Sequence, residues 1–412
     1  MDSRPSSSNR SRPRAGPRVL FVSYDGLLDP LGQSQILPYL RGLAAKGAVM
    51  TLLSFEKAAA RNAPERMQAV QAELRQWGVR WIPLKYHKRC PALATAYDVG
   101  IGLLEGRRAI RADHIQLIHA RSYVATLIAW LLSRWLRVPF VFATIGFWID
   151  ERLDVGFWSP RNPLYHVAKR LEREFFRSAS HIVMLTERSR QLVERWFDFR
   201  GSRVSVVPTC VDLQRFSGSR VAQPPGHAPV FIYTGSVGTC YLLHEVVECV
   251  VQARRRFPQA RLVVLTPQEQ EAFALAAARL PTESLTVRAV RYAEVPSYLA
   301  EAHVGLAFYK PAFARVGTCP TKIGEYLAMG LPVIVNGGVG DVEDLIEPAR
   351  VGVVVSEFSP QSYAQALERL ERLWADPLLP ARCRQIAEAH FSLVLGVERY
   401  WAAYEQLAAL RS

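Results

Sequence analysis

"TCPTKIGEYLAMGLPVIVNGG" (residues 318–338) reads as a helix that stops at a glycine and hands over to a buried strand. Pro320 suits the first helical position, where its missing N–H has no partner to lose and its φ is already helical. Apolar residues follow at helical spacing, Gly330 and Pro332 end the helix, and "PVIVNG" (332–337) is an apolar run of strand length. One residue fits this poorly. Lys322 falls in the first turn, where the helix dipole is positive and a cation is disfavoured. Thr318 and Cys319, just ahead, form a mediocre cap. Glu325, three residues on, offers an i,i+3 ion pair worth roughly 0.2–0.5 kcal/mol. That pair accounts for the glutamate but not for a lysine at this position. An anion would: a diphosphate at the free amides would neutralise Lys322 and leave Glu325 to accept hydrogen bonds from a ribose.

The same alternation of helix and short apolar run extends outward in both directions. "VLFVSY" (19–24), "VMTLLSF" (49–55), "QLIHA" (116–120), "PFVFAT" (139–144), "HIVMLT" (181–186) and "VSVVP" (204–208) are strand-like in the front half. "VFIYTG" (230–235), "RLVVLT" (261–266), "LTVRAV" (285–290), "VGLAFY" (304–309), "PVIVNG" and "VGVVV" (351–355) repeat the pattern behind a linker-like "SGSRVAQPPGHAP" (217–229). Helix-length segments such as "APERMQAVQAELRQWG" (63–78) separate most of them. Continuous apolar strands are buried on both faces, so the expected fold class is α/β, with two doubly wound parallel sheets. The expected division is a basic tail at 1–17, a front domain at 18–216, a linker at 217–229, a rear domain at 230–390 and a terminal helical segment at 391–412. Ligands are then expected between the carboxyl ends of the two sheets.

Composition narrows the function classes. Half of the 412 residues are hydrophobic, which describes a globular chain too long for one ordinary core. The first 17 residues are Ser-, Pro- and Arg-rich and lack the apolar stretch of a secretory signal. Cysteines at 90, 210, 240, 249, 319 and 383 form no C-x-x-C pair, which disfavours zinc and disulfide frameworks and fits the cytoplasm. Residues 1–215 carry 33 basic and 18 acidic side chains, whereas the remainder carries 18 and 19. The positive excess therefore sits in the front half. It is either a solvated arginine-rich surface or the footprint of an anionic partner such as a membrane surface. Nucleic acid is disfavoured, because no basic platform with interleaved aromatics accompanies the charge. The longest apolar stretch, 123–149, holds Arg134, Arg137 and Pro139, which split it into a helix and a strand too short to span a bilayer.

Several residues stand at strand ends, where such sheets hold their ligands. Gly32 precedes a helix expected to start near Gln33–Ser34, and serves either a ligand's approach to that helix or an ordinary turn. The spacing is not that of a Walker loop. "LIHARSY" sets His119 and Arg121 at a strand end. His119 is either a site residue or a buried satisfied histidine, and Arg121 is the better anion ligand. "GFWIDER" (146–152) packs aromatic with acidic groups and is either a wall for a sugar or only a folded loop. "YTGSVGTCY" (233–241) repeats the strand–glycine–helix arrangement, so the amides of Gly235, Ser236 and Gly238 are candidates for a phosphate.

Taken together, "VLFVSYDGLLDPLGQSQILPYLRGLA", "IHARSY", "VVPTCVDLQRF", "YTGSVGTCYLL" and "PTKIGEYLAMGLPVIVNGGVGD" resemble the retaining glycosyltransferases of family 4, or group 1, of the bacterial polysaccharide and glycoconjugate type. The resemblance spans residues 18 to about 405. It implies the GT-B fold, two Rossmann-like domains with the donor held mainly by the second, and a terminal helix around "VERYWAAYEQLAAL" bracing the first. It implies a nucleotide diphosphate sugar as co-substrate, no cofactor and no essential metal. A glycan or lipid-linked acceptor is expected of such an enzyme; the cysteine usage points to the cytoplasm, and the basic front half makes the inner face of the cytoplasmic membrane a candidate place of peripheral attachment. The candidate catalytic residues are His119, Arg121, Lys322 and Glu325; the candidate donor contacts are Gly32, Gly235, Ser236, Gly238, Thr321, Lys322 and Glu325. Three departures accompany the match. Gly317 stands where many relatives have the first acid of Glu-x7-Glu, and "GSVGTCYLL" lacks an expected Arg and Lys. Ala143 and Ile145 replace an expected acid and arginine. A catalytically silent GT-B binding protein and a GT-B sugar-nucleotide epimerase are the alternative expectations.

Overall fold

The structure is a computed structural model, and it describes residues 16–409 except 90, 198, 200–202, 219–225 and 227. Most of the basic tail (1–17) and of the linker (217–229) lies outside the described residues. The front sheet contains β1 (Arg18–Ser23), β2 (Val49–Glu56), β3 (Arg80–Lys85), β4 (Leu117–Arg121), β5 (Phe140–Ala143), β6 (His181–Met184) and β7 (Val204–Val206). Its order is β3-β2-β1-β4-β5-β6-β7, and every neighbouring pair is parallel. The rear sheet contains β8 (Val230–Thr234), β9 (Arg261–Leu265), β10 (Leu285–Arg288), β11 (Val304–Ala307), β12 (Val333–Asn336) and β13 (Gly352–Val355). Its order is β10-β9-β8-β11-β12-β13, again all parallel. This is the two-domain GT-B architecture that the resemblance implies.

β3 was not expected. "RWIPLK" is an edge strand, only half-buried, and Pro83 is tolerated there because an edge leaves one side of the backbone without a ladder. Its sequence therefore lacks the continuous apolar run that marks the central strands.

Apolar cores cover both faces of each sheet. On one face of the front sheet, helices Pro91–Ala112, Tyr123–Leu136 and Pro163–Ser178 lie side by side over Leu20, Ile118 and Phe142. On the other face, Leu37–Ala45 and Pro64–Gln76 pack over Val19, Phe21 and Leu52. The last helix, Leu393–Ala409, joins that second face: Val397 packs on Gly42, and Tyr404 Oη meets His119 Nδ1 at 2.5 Å. Chain from the end of the sequence thereby forms part of the front core.

The domains also meet along one side of the cleft. Asp341 accepts from the amides of Glu187 and Arg188, at 2.7 and 3.0 Å, so a rear-domain carboxylate sits at the start of a front-domain helix. Thr186 Oγ1 donates to Val316 O and Thr209 Oγ1 to Cys319 O, both at 2.7 Å. Among the described residues, no helix is long and apolar enough to cross a membrane, and the described cysteines are all free thiols.

Candidate active site

A cleft of about 850 Å³ opens between the carboxyl ends of the two sheets. Arg121, Gly235, Thr321, Lys322 and Glu325 line it, whereas Gly32, His119, Ser236 and Gly238 do not.

The helix that carries Lys322 is Thr321–Ala328. Pro320 is its N-cap, one position earlier than expected, and no side chain caps its first amides. Lys322 is thus the second helical residue. It is 7% exposed, and its Nζ has no hydrogen-bond partner. Three aromatic rings surround the ammonium, with Tyr233, Tyr241 and Tyr309 at 4.0, 5.0 and 5.6 Å from their centroids. Ring faces attract a cation but do not replace its hydration. Burial accordingly pushes Lys322 down to about 7, against the opposing pull of Glu325.

Glu325, one turn along and 5% exposed, accepts a hydrogen bond from Tyr292 Oη at 2.9 Å. Burial raises its carboxyl to about 7, with Tyr292 and then Lys322 working against the rise. Tyr292 is itself covered by Arg215, whose guanidinium stands 5.3 Å from the ring centroid. Glu325 and Lys322 make no direct ion pair among the described contacts. The sequence-based alternative of an i,i+3 bridge therefore does not account for either side chain.

Gly235 has a different part from the one expected. Its amide donates to Leu265 O at 2.9 Å, so it is not available to a phosphate. Its φ of +131° suits glycine, and a Cβ there would stand 2.9 Å from Lys322 Nζ. The glycine makes room for the lysine. Ser236 is exposed and offers its carbonyl to Tyr233 Oη, while Gly238 turns the loop that follows.

Gly32 is likewise corrected. The helix begins at Pro30, not near Gln33, so Gly32 lies inside its first turn, and a Cβ would fall 2.2 Å from Gly26 O. It allows backbone to approach backbone rather than a ligand. His119 is 1% exposed, bonded to Tyr404 and stacked 4.3 Å from the Phe21 ring. Burial lowers it to about 3, with Arg121 adding to the fall, so it is a neutral core histidine. It stands behind the cleft-lining Tyr400, whose ring lies 4.9 Å away. Arg121 does reach the cleft and pairs with Asp25 at 2.5 Å.

Arg315 was not singled out from sequence, since nothing local distinguishes it. The 3-10 helix Phe313–Gly317 buries it to 4% exposure in the cleft lining. Its Nη2 meets Glu151 of the front domain at 2.7 Å, and its Nε has no partner. Arg315 and Lys322 both line the cleft, so two buried cations face the same cavity. The same segment explains Gly317: a Cβ there would lie 3.0 Å from Gly146 Cα and 3.1 Å from the Phe147 ring. An acid at that position has no room while the domains touch in this way. Ala143 and Ile145 do line the cleft, on the side of Arg121.

Residues 33–210 match the Glycosyl transferase 4-like domain, and residues 228–372 match Glycosyl transferases group 1. The chain belongs to the family 4, group 1 glycosyltransferases. Among characterised glycosyltransferases it is similar to alpha-D-kanosaminyltransferase of Streptomyces kanamyceticus, 25% identical over 75% of this chain and 80% of that one. Its fold resembles that of sucrose-phosphate synthase from Thermosynechococcus elongatus, with a TM-score of 0.70, 16% identity, and coverage of 96% of this chain and all of that chain. It also resembles Anabaena HepE solved with UDP-glucose, at a TM-score of 0.66 and 17% identity, covering 95% of this chain and 99% of the other. At least one protein of this architecture has thus been solved with a nucleotide sugar.

Proposed function

We propose that this glycosyltransferase moves a hexosyl or related sugar, with retention, from a nucleotide diphosphate sugar to a glycan or lipid-linked acceptor in polysaccharide or glycoconjugate synthesis. The observation that carries the reading is Lys322, a nearly buried ammonium without a hydrogen-bond partner at the head of an uncapped helix. A diphosphate at that point gains the helix amides and the ammonium together, and the charge that grows on it as the glycosidic bond breaks is met by groups already in place. Arg315 adds a second cation nearby. In this reading these groups do the work of a metal, and none is required. Thr321 contributes its amide, Glu325 and Tyr292 receive the ribose hydroxyls, and Arg121 with Asp25 faces the acceptor side.

The UDP-glucose in HepE makes uridine donors the first to test. Incubating the protein with a panel of nucleotide sugars should release free nucleotide from one of them, faster when the acceptor is present. Nucleotide binding without any release or transfer would instead favour a silent binding protein. Conversion of the sugar on the intact donor would favour an epimerase. The acceptor, in this proposal, is presented at the inner face of the cytoplasmic membrane, and the basic front half draws the protein there.

A further inference from the structure

Resting on the reading of a membrane-presented acceptor, we propose that one face of the front domain is the membrane-docking surface. That face is the outer side of helices Pro91–Ala112, Tyr123–Leu136 and Pro163–Ser178, and its occupant is an anionic lipid bilayer.

The helix Pro91–Ala112 shows the pattern most plainly. Leu93, Tyr97, Gly100, Leu104, Arg107 and Arg111 are all exposed. At a helical turn of 3.6 residues they fall within a sector of roughly 80°. The first half of this stripe is apolar and the second is basic, and Lys88 with Arg89 stands exposed just before the helix. The two neighbouring helices continue the surface. Trp135, Leu164 and Val167 keep 61%, 55% and 55% of their area exposed, against 74% for Leu93. Arg134, Arg170 and Arg173 are exposed among them. No described exposed position of the three helices carries an acid. Glu172 is buried, and Glu105 and Glu174 are half-covered partners of Arg108 and Arg177.

Exposed large apolar side chains set among arginines, with the acids of these helices buried or paired to arginine, match the polar–apolar boundary of an anionic bilayer. The rings and leucines enter the boundary while the guanidinium groups meet the headgroups. The orientation suits the enzyme. Asp98, on the inner side of the same helix, accepts from Tyr24 Oη at 2.9 Å, immediately beyond the carboxyl end of β1. The apolar half of the stripe thus lies at the end of the sheet that opens on the cleft. A lipid-linked acceptor would enter from the surface on which the protein rests.

Co-sedimentation with vesicles tests this, using the full chain and phosphatidylglycerol–phosphatidylcholine vesicles against pure phosphatidylcholine. The wild type should bind the anionic vesicles and lose binding as salt rises. Leu93→Ser with Leu104→Ser, and separately Arg107→Ser with Arg111→Ser, should each weaken binding by about tenfold or more at moderate salt. Phe273→Ser with Leu378→Ser, exposed positions of the rear domain, should bind like wild type. Circular dichroism and melting should show all three folded, and release of nucleotide from a soluble donor should be unchanged. Lipid binding is read without donor, so a failure here is separable from a failure of the transferase reading. Face variants that bind like wild type would assign the attachment to the tail and overturn the proposal. So would a wild type that ignores anionic vesicles, or a dimer in solution that only the face variants dissociate.

Discussion

Gly235 and Lys322 share one small volume: the space that a Cβ on Gly235 would take is 2.9 Å from the Lys322 ammonium. Gly235→Ala therefore pushes the ammonium aside and strains a backbone at φ +131°. The displaced group is the far end of a flexible chain, so the stability cost is mainly the backbone strain, of order 1–3 kcal/mol. Nucleotide affinity should fall more than stability does. Unchanged affinity by calorimetry in folded protein would show that the position of Lys322 is immaterial.

Lys322→Met separates site from scaffold. If the ammonium serves a diphosphate, turnover should drop by ~10² or more, as on removing one electrostatic stabiliser of a transition state. The unliganded protein should at the same time melt higher, because a desolvated charge without hydrogen bonds has been replaced by a thioether of similar length. Near-normal turnover, or a lowered melting temperature, would speak against the assignment.

Glu325→Gln keeps the shape and the contact with Tyr292 while removing the stronger acceptor. Nucleotide binding should weaken by about tenfold, consistent with one charge-assisted hydrogen bond of roughly 1.5 kcal/mol. The melting temperature should change little. A variant that only melts earlier would return Glu325 to a structural part.

Arg315 is the residue sequence did not expose, and Arg315→Gln should lower turnover by ~10-fold or more if it shares the leaving-group charge. Glu151→Gln leaves that cation in place without its partner. It should therefore cost less turnover than loss of the arginine. Equal losses in both variants, tracking the melting temperature, would make the pair a domain clamp only.

The two perturbed groups predict opposite pH trends. Lys322 is held at about 7 when folded, against 10.5 ordinarily, so between those values the unfolded chain binds more protons and stability rises with pH. Glu325 is raised from 4.5 to about 7, so between 4.5 and about 7 the folded chain binds more protons and stability falls as pH rises. If nucleotide binding requires the ammonium, it should weaken above about pH 7 with uptake of a proton. Calorimetry at pH 8 in two buffers of different ionisation enthalpy reads that uptake, which should vanish in Lys322→Met.

The sequence by itself determined the layered architecture, because strands buried on both faces must be continuously apolar wherever they fall in the chain. Twelve of the thirteen described strands announced themselves in this way; β3, an edge strand that is only half-buried and carries Pro83, did not. The anomaly of Lys322 was equally legible, because a cation in a first helical turn conflicts with local electrostatics whatever surrounds it. Tertiary structure decided everything that depends on what lies across a gap. It put His119 behind Tyr400, turned Gly32 and Gly235 into space for protein atoms, and brought Arg315 to Glu151 across 164 residues of chain. A strand-end position limits where a side chain starts, but not what packs above it. That depends on how two domains and a returning terminal helix come together, which no local spacing encodes.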